Sequence, residues 1–463
     1  MNLTDAIYAK LPLSLQNAVI SLYGAYWHWL RFGGMYSEFE TAYRQREHFS
    51  LDEWHKYQKQ KLVDLLDMAS EHVPYYRHTW TDQQKLAARE GNLLELPLLE
   101  KDPLRGKPKD FCLDYRHNSR YWTFYTSGST GTPIETYWTA NEIRDSLAVR
   151  EVRSAEWAGV SFKLPRATFS GRLVEPDPDS KGPFYRFNAA EKQAYFSPFH
   201  LRPDTAHFYV DALKKHKIQW MTGYAVSYYL LAKHILDINL VVPPLKAVIT
   251  TSEKLTVEMR SVMEKAFRCR IYEEYSAVEN TIFASECERG KLHVSPDVGI
   301  VEIIRPDGSP CLPGEVGEVI TTCLTRSFQP LIRYRIGDLA AWDSETCACG
   351  RSMPVIKEVI GRIEDVVTTP DGRQLVRFHG IFVHQPHIAE GQIIQEALDR
   401  ITVKVVPTKG FAESDKQEII TRVQQRIGFN INVIVELVSG IERTKNGKFK
   451  AVISLLEKKP KID

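Results

Sequence analysis

An α/β fold carrying a second, smaller lobe is what the residue pattern predicts, and three observations predict it. From about residue 120 to 340, short apolar runs such as Ala247-Val248-Ile249-Thr250 and Val319-Ile320-Thr321-Thr322 alternate with helical stretches such as Thr256 to Phe267. Such alternation is the signature of strands and helices layered on one another. Upstream, apolar residues recur at helical spacing between Leu51 and Val73 (Trp54, Tyr57, Leu62, Leu65, Leu66, Met68) until Pro74 interrupts them, so residues 1–100 read as a helical region. Downstream of Gly361, the strand-like runs Ile401 to Val406 and Ile431 to Val438 surround a helical stretch from Ser414 to Ile427, the content of a compact α+β lobe. A chain of 463 residues is too long for one core. The expected division is a large domain over residues 1–360 and a small one over 361–463, with the boundary between Val359 and Val366.

Composition narrows the function. With 43% hydrophobic and 25% charged residues the chain has the make-up of a soluble globular protein. Sixty Lys and Arg against 58 Asp and Glu leave a net charge of +2 without a long block of one sign, which argues against a nucleic-acid partner. The N-terminus lacks a basic patch followed by an apolar run, so no export signal is expected and the cytoplasm is the expected address. The apolar stretch Leu13 to Leu30 is broken by Ser14, Gln16, Asn17 and His28 and falls short of a membrane span. Its aromatics Tyr23, Tyr26, Trp27 and Trp29 read as core packing, with weak membrane-surface association as the alternative. Seven cysteines, an odd number over a long chain, point to reduced thiols or a metal site rather than a disulfide framework.

The strongest local signal is Tyr125-Thr126-Ser127-Gly128-Ser129-Thr130-Gly131-Thr132-Pro133, a hydroxyl- and glycine-rich loop after the strand-like Tyr121 to Phe124. Glycines admit an anion close to the backbone, and the hydroxyls and N–H groups donate to its oxygens. The loop lacks the Gly-Lys-Ser/Thr ending of a Walker loop. It resembles the phosphate-binding signature of the adenylate-forming enzymes, the class of acyl-CoA synthetases, peptide-synthetase adenylation domains and luciferases, and further matches follow in that family's order.

Tyr272-Glu273-Glu274-Tyr275-Ser276-Ala277-Val278-Glu279 resembles the segment whose aromatic lines the adenine site and whose glutamate holds magnesium, roles that fall on Tyr275 and Glu279. Ser276 stands where the family usually has glycine. Thr251-Ser252-Glu253 resembles the segment flanking adenine and the acid pocket. Tyr334-Arg335-Ile336-Gly337-Asp338 resembles the motif whose aspartate accepts from both ribose hydroxyls, a task for Asp338. Gly361-Arg362-Ile363-Glu364-Asp365 is similar to the interdomain hinge, with Glu364 in place of the usual aspartate and Arg362 at the nucleotide. Arg443-Thr444-Lys445-Asn446-Gly447-Lys448 resembles the loop that brings a catalytic lysine, here Lys448, to the acyl-adenylate centre.

The resemblance implies an adenylate-forming fold and a reaction in which a carboxylate attacks the α-phosphorus of ATP and pyrophosphate leaves. Magnesium on Glu279 and Thr130, with Lys448, would then stabilise phosphoryl charge. No protein nucleophile is needed.

Cys287, His293, Cys347 and Cys349 form a Cys3His set whose pairs lie far apart in sequence, consistent with structural zinc or with unrelated reduced thiols. The same placement resembles some phenylacetate-CoA ligase-like proteins. The helical N-terminus, Val73-Pro74-Tyr75-Tyr76 and the Cys-x-Cys-Gly element also resemble that branch, closest to its capsule- and polysaccharide-biosynthesis subgroup. Thr369-Pro370-Asp371-Gly372 departs from the common small-domain pattern.

The resulting expectation is ATP- and Mg-dependent activation of a small-molecule or glycan-linked acid followed by transfer to CoA. An amide ligase joining a sugar acid or amino acid to an amine is the alternative. A non-catalytic nucleotide-binding regulator is the alternative of another class. Trp122, Phe124 and Thr222-Gly223-Tyr224 read equally as lining of an acid pocket and as core packing.

Overall fold

The computed structural model describes residue 8 and residues 11–456, apart from 117–118, 127–132, 173, 176, 178–179, 361–366, 372–373, 376–377, 383–384 and 443–451. Ser127 to Thr132, the hinge residues Arg362 and Glu364, and Lys448 with its loop therefore lie outside the described residues.

A twelve-stranded mixed sheet organises the chain. Five neighbouring strands toward one end of it run parallel: Gln193–Phe196, Arg166–Phe169, Trp220–Tyr224, Ala247–Thr251 and Arg270–Ser276. Helices Ala206–Lys215, Ala225–Asp237 and Val257–Phe267 connect or follow these strands, as crossovers between parallel strands require. Beyond Arg270–Ser276 the sheet turns antiparallel through Phe283–Glu286, Leu292–Val294, Val355–Val359, Tyr334–Trp342, Val316–Cys323 and Gly299–Ile304.

Period-two alternation divides the parallel strands between two cores. Ala167, Phe169, Ala194, Phe196, Met221 and Val248 enter one cluster with the crossover helices. Trp220, Ala247, Ile249 and Tyr272 face the opposite side, against Ala155, Ala158 and Val160. That second face carries the cleft described below.

The helical N-terminus is as expected. Helix Leu51–His72 opens with a capping box, Ser50 accepting from the Glu53 N–H while Glu53 accepts from the Ser50 N–H. Its Leu62, Leu65 and Leu66 pack on Ile332, Tyr334 and Ile336 of the antiparallel half. Pro74 restarts the helix as Pro74–Thr79, a residue tolerated in a first turn where its missing N–H has no partner to lose.

One expectation, that the aromatics of the first helix pack into the core, holds for Trp27 but not for the exposed Tyr23 and Trp29. Leu13–Phe32 is a helix, but it turns its polar residues toward the protein: the Gln16 amide takes a bond from Arg186, Asn17 from the Phe187 N–H, and Ser21 from the Ala189 N–H. Leu22 and Trp29 are 75% and 65% exposed. Apolar periodicity locates the helix, yet neighbours that present backbone and charge reverse which face is covered. Of its aromatics, Trp27 packs edge-on against Phe124. No described helix is long and apolar enough to cross a membrane.

Residues from Val367 onward build a separate four-stranded sheet, ordered Asn432–Leu437, Arg400–Pro407, Ile388–Ala397 and Val452–Ser454, against helix Glu413–Ile427. Its own core is formed by Ile393, Ile401, Val403, Ile419, Val423 and Ile427, joined by Phe199. Arg202 reaches Asp371 at 3.2 Å.

Candidate active site

The sheet brings together sequence segments that lie far apart. Tyr275 ends strand Arg270–Ser276 and Asp338 lies in strand Tyr334–Trp342, on the far side of the antiparallel turn. The Tyr275 hydroxyl donates to Asp338 Oδ2 at 2.9 Å, so an aromatic face and a carboxylate are presented side by side. Glu279 is 7% exposed and its Oε1 accepts from the Tyr334 hydroxyl at 2.9 Å, leaving Oε2 without a hydrogen-bond partner among the described residues. A buried carboxylate with one oxygen fixed and one open suits a hard cation. Arg326 holds the backbone beneath it, donating to the Glu279 carbonyl at 3.0 Å.

Glu274, 5% exposed, pairs with Arg150 at 3.1 Å and takes the Ser276 hydroxyl at 3.3 Å, while Arg150 also donates to that hydroxyl at 3.0 Å. Ser276 is thus tied into a network that glycine would lack. Ser252 adopts φ +72°, unusual for a residue with a Cβ, directly after strand Ala247–Thr251. That turn, at the end of a parallel strand, lines the cleft described below. Glu253 is turned away from it, its carboxylate accepting from the Val226 N–H at 2.9 Å at the start of helix Ala225–Asp237. Thr126 closes the base of the glycine-rich loop: its N–H donates to the Ile134 carbonyl at 3.0 Å and its Oγ1 accepts from the Ile134 N–H at 2.9 Å.

A cleft of 460 Å³ opens beside these groups, with Ser252, Glu274 and Ala277 at one end and Arg31, Arg166 and Glu191 among its other walls. Phe124, Thr222, Gly223 and Tyr224 line it, whereas Trp122 packs with Leu30 and Trp138. Gly223 has φ +137°, and a Cβ there would stand 2.0 Å from the Phe169 carbonyl oxygen, so only glycine allows the neighbouring strands to meet at the cleft. Sequence reasoning missed Arg150, Arg166, Arg172, Glu191 and Gln193. The available signal was the polar Arg166 and Thr168 at alternate positions of a short strand.

The four proposed zinc ligands converge. One ligand atom each from Cys287, His293, Cys347 and Cys349 lies within 4.8 Å of the other three. Cys287 Sγ and Cys347 Sγ are 3.6 Å apart, and Cys349 Sγ is 3.3 Å from His293 Nε2. His293 Nδ1 stands 3.2 Å from the Met353 carbonyl, which fixes the proton there and leaves Nε2 as a lone-pair donor. Burial lowers the His293 pKa, keeping the imidazole neutral as a ligand must be. The set fits a closed tetrahedral zinc joining the hairpin Phe283–Val294 to the loop before Val355.

Comparison with known proteins bears on the fold. A family model described as the CapK C-terminal domain matches residues 367–455. Protein CapK of Staphylococcus aureus is 27% identical over 466 residues, covering 97% of this chain and 98% of that protein. Phenylacetate-coenzyme A ligase of Thermus thermophilus is 26% identical over 199 residues, 37% of this chain and 45% of the relative. Among solved structures, 2-hydroxyisobutyryl-CoA ligase with 2-HIB-AMP and CoA in the thioesterification state superposes with a TM-score of 0.57 at 20% identity, covering 89% of this chain and 92% of that one. The same ligase in its postadenylation state with R3-HIB-AMP gives 0.54 at 21% identity, covering 89% and 91%. The large mixed sheet with its helices and the smaller C-terminal sheet have the fold of these adenylate-forming ligases.

Proposed function

We propose that this chain, a homologue of CapK and of the phenylacetate-coenzyme A ligases, activates a carboxylic acid with ATP to an acyl-adenylate and passes the acyl group to an acceptor. The observation that carries this reading is that Tyr275, hydrogen-bonded to Asp338, and Glu279, held by Tyr334, lie in the same segment as Glu274, Ala277, Val278 and Asn280, which line the cleft. In the reading, Tyr275 packs on adenine and Asp338 accepts from the ribose hydroxyls. Ser252 borders the base, and the loop Thr126 to Thr132 surrounds the phosphates. The acid carboxylate attacks the α-phosphorus, the bond to the bridging oxygen breaks, and pyrophosphate leaves. Magnesium held by Glu279 and Thr130 would supply charge neutralisation on the phosphates.

Residues 361–463 act as a mobile small domain in this account. Rotation about Glu364, with Arg362 near the nucleotide, presents Lys448 for the first half-reaction and clears an acceptor path for the second. The acceptor is the CoA thiol, and the setting is surface-polysaccharide assembly. The experiment is pyrophosphate release from ATP and magnesium over aryl, fatty, amino, uronic and dicarboxylic acids, with and without CoA or simple amines. Acid-dependent release that accelerates with CoA supports the reading, and acceleration with an amine alone replaces CoA by an amine acceptor. Nucleotide binding without release from any acid favours a regulator.

Zinc is proposed as a structural ion on Cys287, His293, Cys347 and Cys349. Metal analysis of the purified chain is expected to give one zinc per chain. Replacing Cys347 and Cys349 by Ser should abolish it and lower the unfolding temperature, because the two segments would lose their shared tether. A metal-free chain of unchanged stability would contradict the assignment.

A further inference from the structure

The wall of the cleft shows what kind of acid it is built to hold. Strand register places its side chains in rows on one face of the sheet. Arg166 lies beside Gln193, Thr168 beside Tyr195 and Thr222, and Tyr224 beside Thr251, which in turn lies beside Glu274. Roofing this face are Trp27 and Arg31 from helix Leu13–Phe32 and Ser146, Leu147 and Arg150 from helix Ala140–Arg150. From the strand of Thr251, beside the proposed adenine site, to that of Gln193 is three strand spacings, about 14 Å from backbone to backbone, a span that the side chains lining the cleft shorten. The reacting carboxylate sits at the first end, so the acid's tail extends toward the second.

That second end carries an excess of positive charge. Arg31, Arg166 and Arg172 stand there against one carboxylate, Glu191. Glu191 is 4% exposed and is committed to Arg31 at 2.8 Å, with Arg166 at 3.7 Å. Arg166 is further held by the Phe162 carbonyl at 2.6 Å and the Gln193 amide oxygen at 2.7 Å. Burial lowers its pKa to about 10, which still leaves it a cation at neutral pH. Arg172 differs from both. Its guanidinium stacks over the Tyr195 ring at 4.9 Å and has no carboxylate partner among the described residues. At the nucleotide end the charges of Arg150 and Glu274 cancel.

We propose that the cleft takes a small acid bearing a second anionic group, which Arg172 pairs at the end remote from the reacting carboxylate. This rests on the adenylation reading for which end reacts. Thr168 and Gln193 are already bonded to each other at 2.7 Å, but an apolar tail of the same length would lie over the Arg172 guanidinium without giving it a partner, which weighs against such a ligand. A dianionic acid instead supplies the missing counter-charge, with Tyr195 fixing the guanidinium plane against which it binds.

The test uses adipate, hexanoate and glucuronate as probes of the full chain, bound calorimetrically in the presence of magnesium and a non-hydrolysable ATP analogue, with pyrophosphate release measured in parallel using ATP. Adipate is expected to bind about 100-fold more tightly than hexanoate. Arg172→Ala should erase that difference while leaving hexanoate nearly unchanged, and Arg172→Lys should restore part of it. Arg172 is exposed and its contact with Tyr195 lies at the cleft surface, so the variants are expected to retain structure, which circular dichroism checks. Equal or tighter binding of hexanoate overturns the proposal. So does a preference for glucuronate that Arg172→Ala leaves intact, an equal loss for all acids, or no binding of adipate. Arg172-dependent adipate binding without pyrophosphate release would retain the cleft assignment and remove the adenylation reading. Release with hexanoate alone would do the reverse.

Discussion

Glu279→Gln should lower acid-dependent pyrophosphate release about 10²- to 10³-fold while leaving the unfolding temperature almost unchanged. Glutamine keeps an acceptor for the Tyr334 hydroxyl, which now reaches Glu279 Oε1 at 2.9 Å, and it keeps the side-chain volume at a site that is 7% exposed. What it removes is the negative charge at the open oxygen. If that oxygen holds magnesium, the loss appears in the rate and in a weaker dependence on magnesium concentration, with little effect on binding of the bare nucleoside. Tyr334→Phe is the companion variant. It frees the carboxylate without deleting it, so its effect should be much smaller. Full activity in Glu279→Gln would show that the carboxylate serves only the local hydrogen bond.

The second large effect concerns stability. Arg153 and Asp297 are both essentially buried, at 0% and 1% exposure. Arg153 Nη2 donates to Asp297 Oδ2 at 2.9 Å, and Arg46 Nε donates to the same oxygen at 2.6 Å. Tyr43 stacks against both guanidinium groups, 4.6 Å from Arg46 and 5.1 Å from Arg153. This group joins helix Tyr36–Arg46 to the turn Glu151–Ala155 behind the cleft. Asp297→Ala leaves two cations without a counter-ion and should cost about 3–5 kcal/mol in the unfolding transition of the large sheet. Chemical denaturation followed by tryptophan fluorescence measures it, and a loss under about 1 kcal/mol would mean that the pair is dispensable.

The same carboxylate sets a pH dependence. Burial acts to raise the Asp297 pKa, but Arg153 and Arg46 outweigh it and hold it below the ordinary value of 3.8. A depressed folded-state pKa contributes stability that is fully present above the unfolded value and is lost as pH falls through the folded one. The part of the difference between wild type and Asp297→Ala that comes from Asp297's own titration should therefore be fully present above pH 4 and shrink in more acidic solution. Any change near pH 7 belongs to the buried Asp145, whose pKa of about 7 Asp297 helps to raise.

Much of the fold was legible because period and punctuation agree locally. The helix expected over Ser414 to Ile427 is Glu413–Ile427, and the runs Ile401 to Val406 and Ile431 to Val438 are the strands Arg400–Pro407 and Asn432–Leu437. Thr256, read as the start of a helix, is its N-cap, accepting from the Met259 N–H. The orientation of Leu13–Phe32 was not legible, because its inward face is chosen by Arg186 and by backbone groups about 170 residues away. For the site, motif order named Tyr275, Glu279 and Asp338 as candidates, but not the Tyr275–Asp338 and Tyr334–Glu279 hydrogen bonds. The charged wall of the cleft was equally hidden. Arg31, Arg166, Arg172 and Glu191 have no common spacing and meet only because a helix lies across parallel strands.

The most direct test of the central claim is acid-dependent exchange of labelled pyrophosphate into ATP, with magnesium and without any acceptor. Exchange isolates the first half-reaction, since label enters ATP only if an acid-adenylate forms reversibly on the protein. The account expects exchange with at least one acid class, dependent on magnesium and reduced about 10²- to 10³-fold by Lys448→Ala and by Glu279→Gln. Tight nucleotide binding with no exchange from any acid, or exchange indifferent to both substitutions, would contradict it.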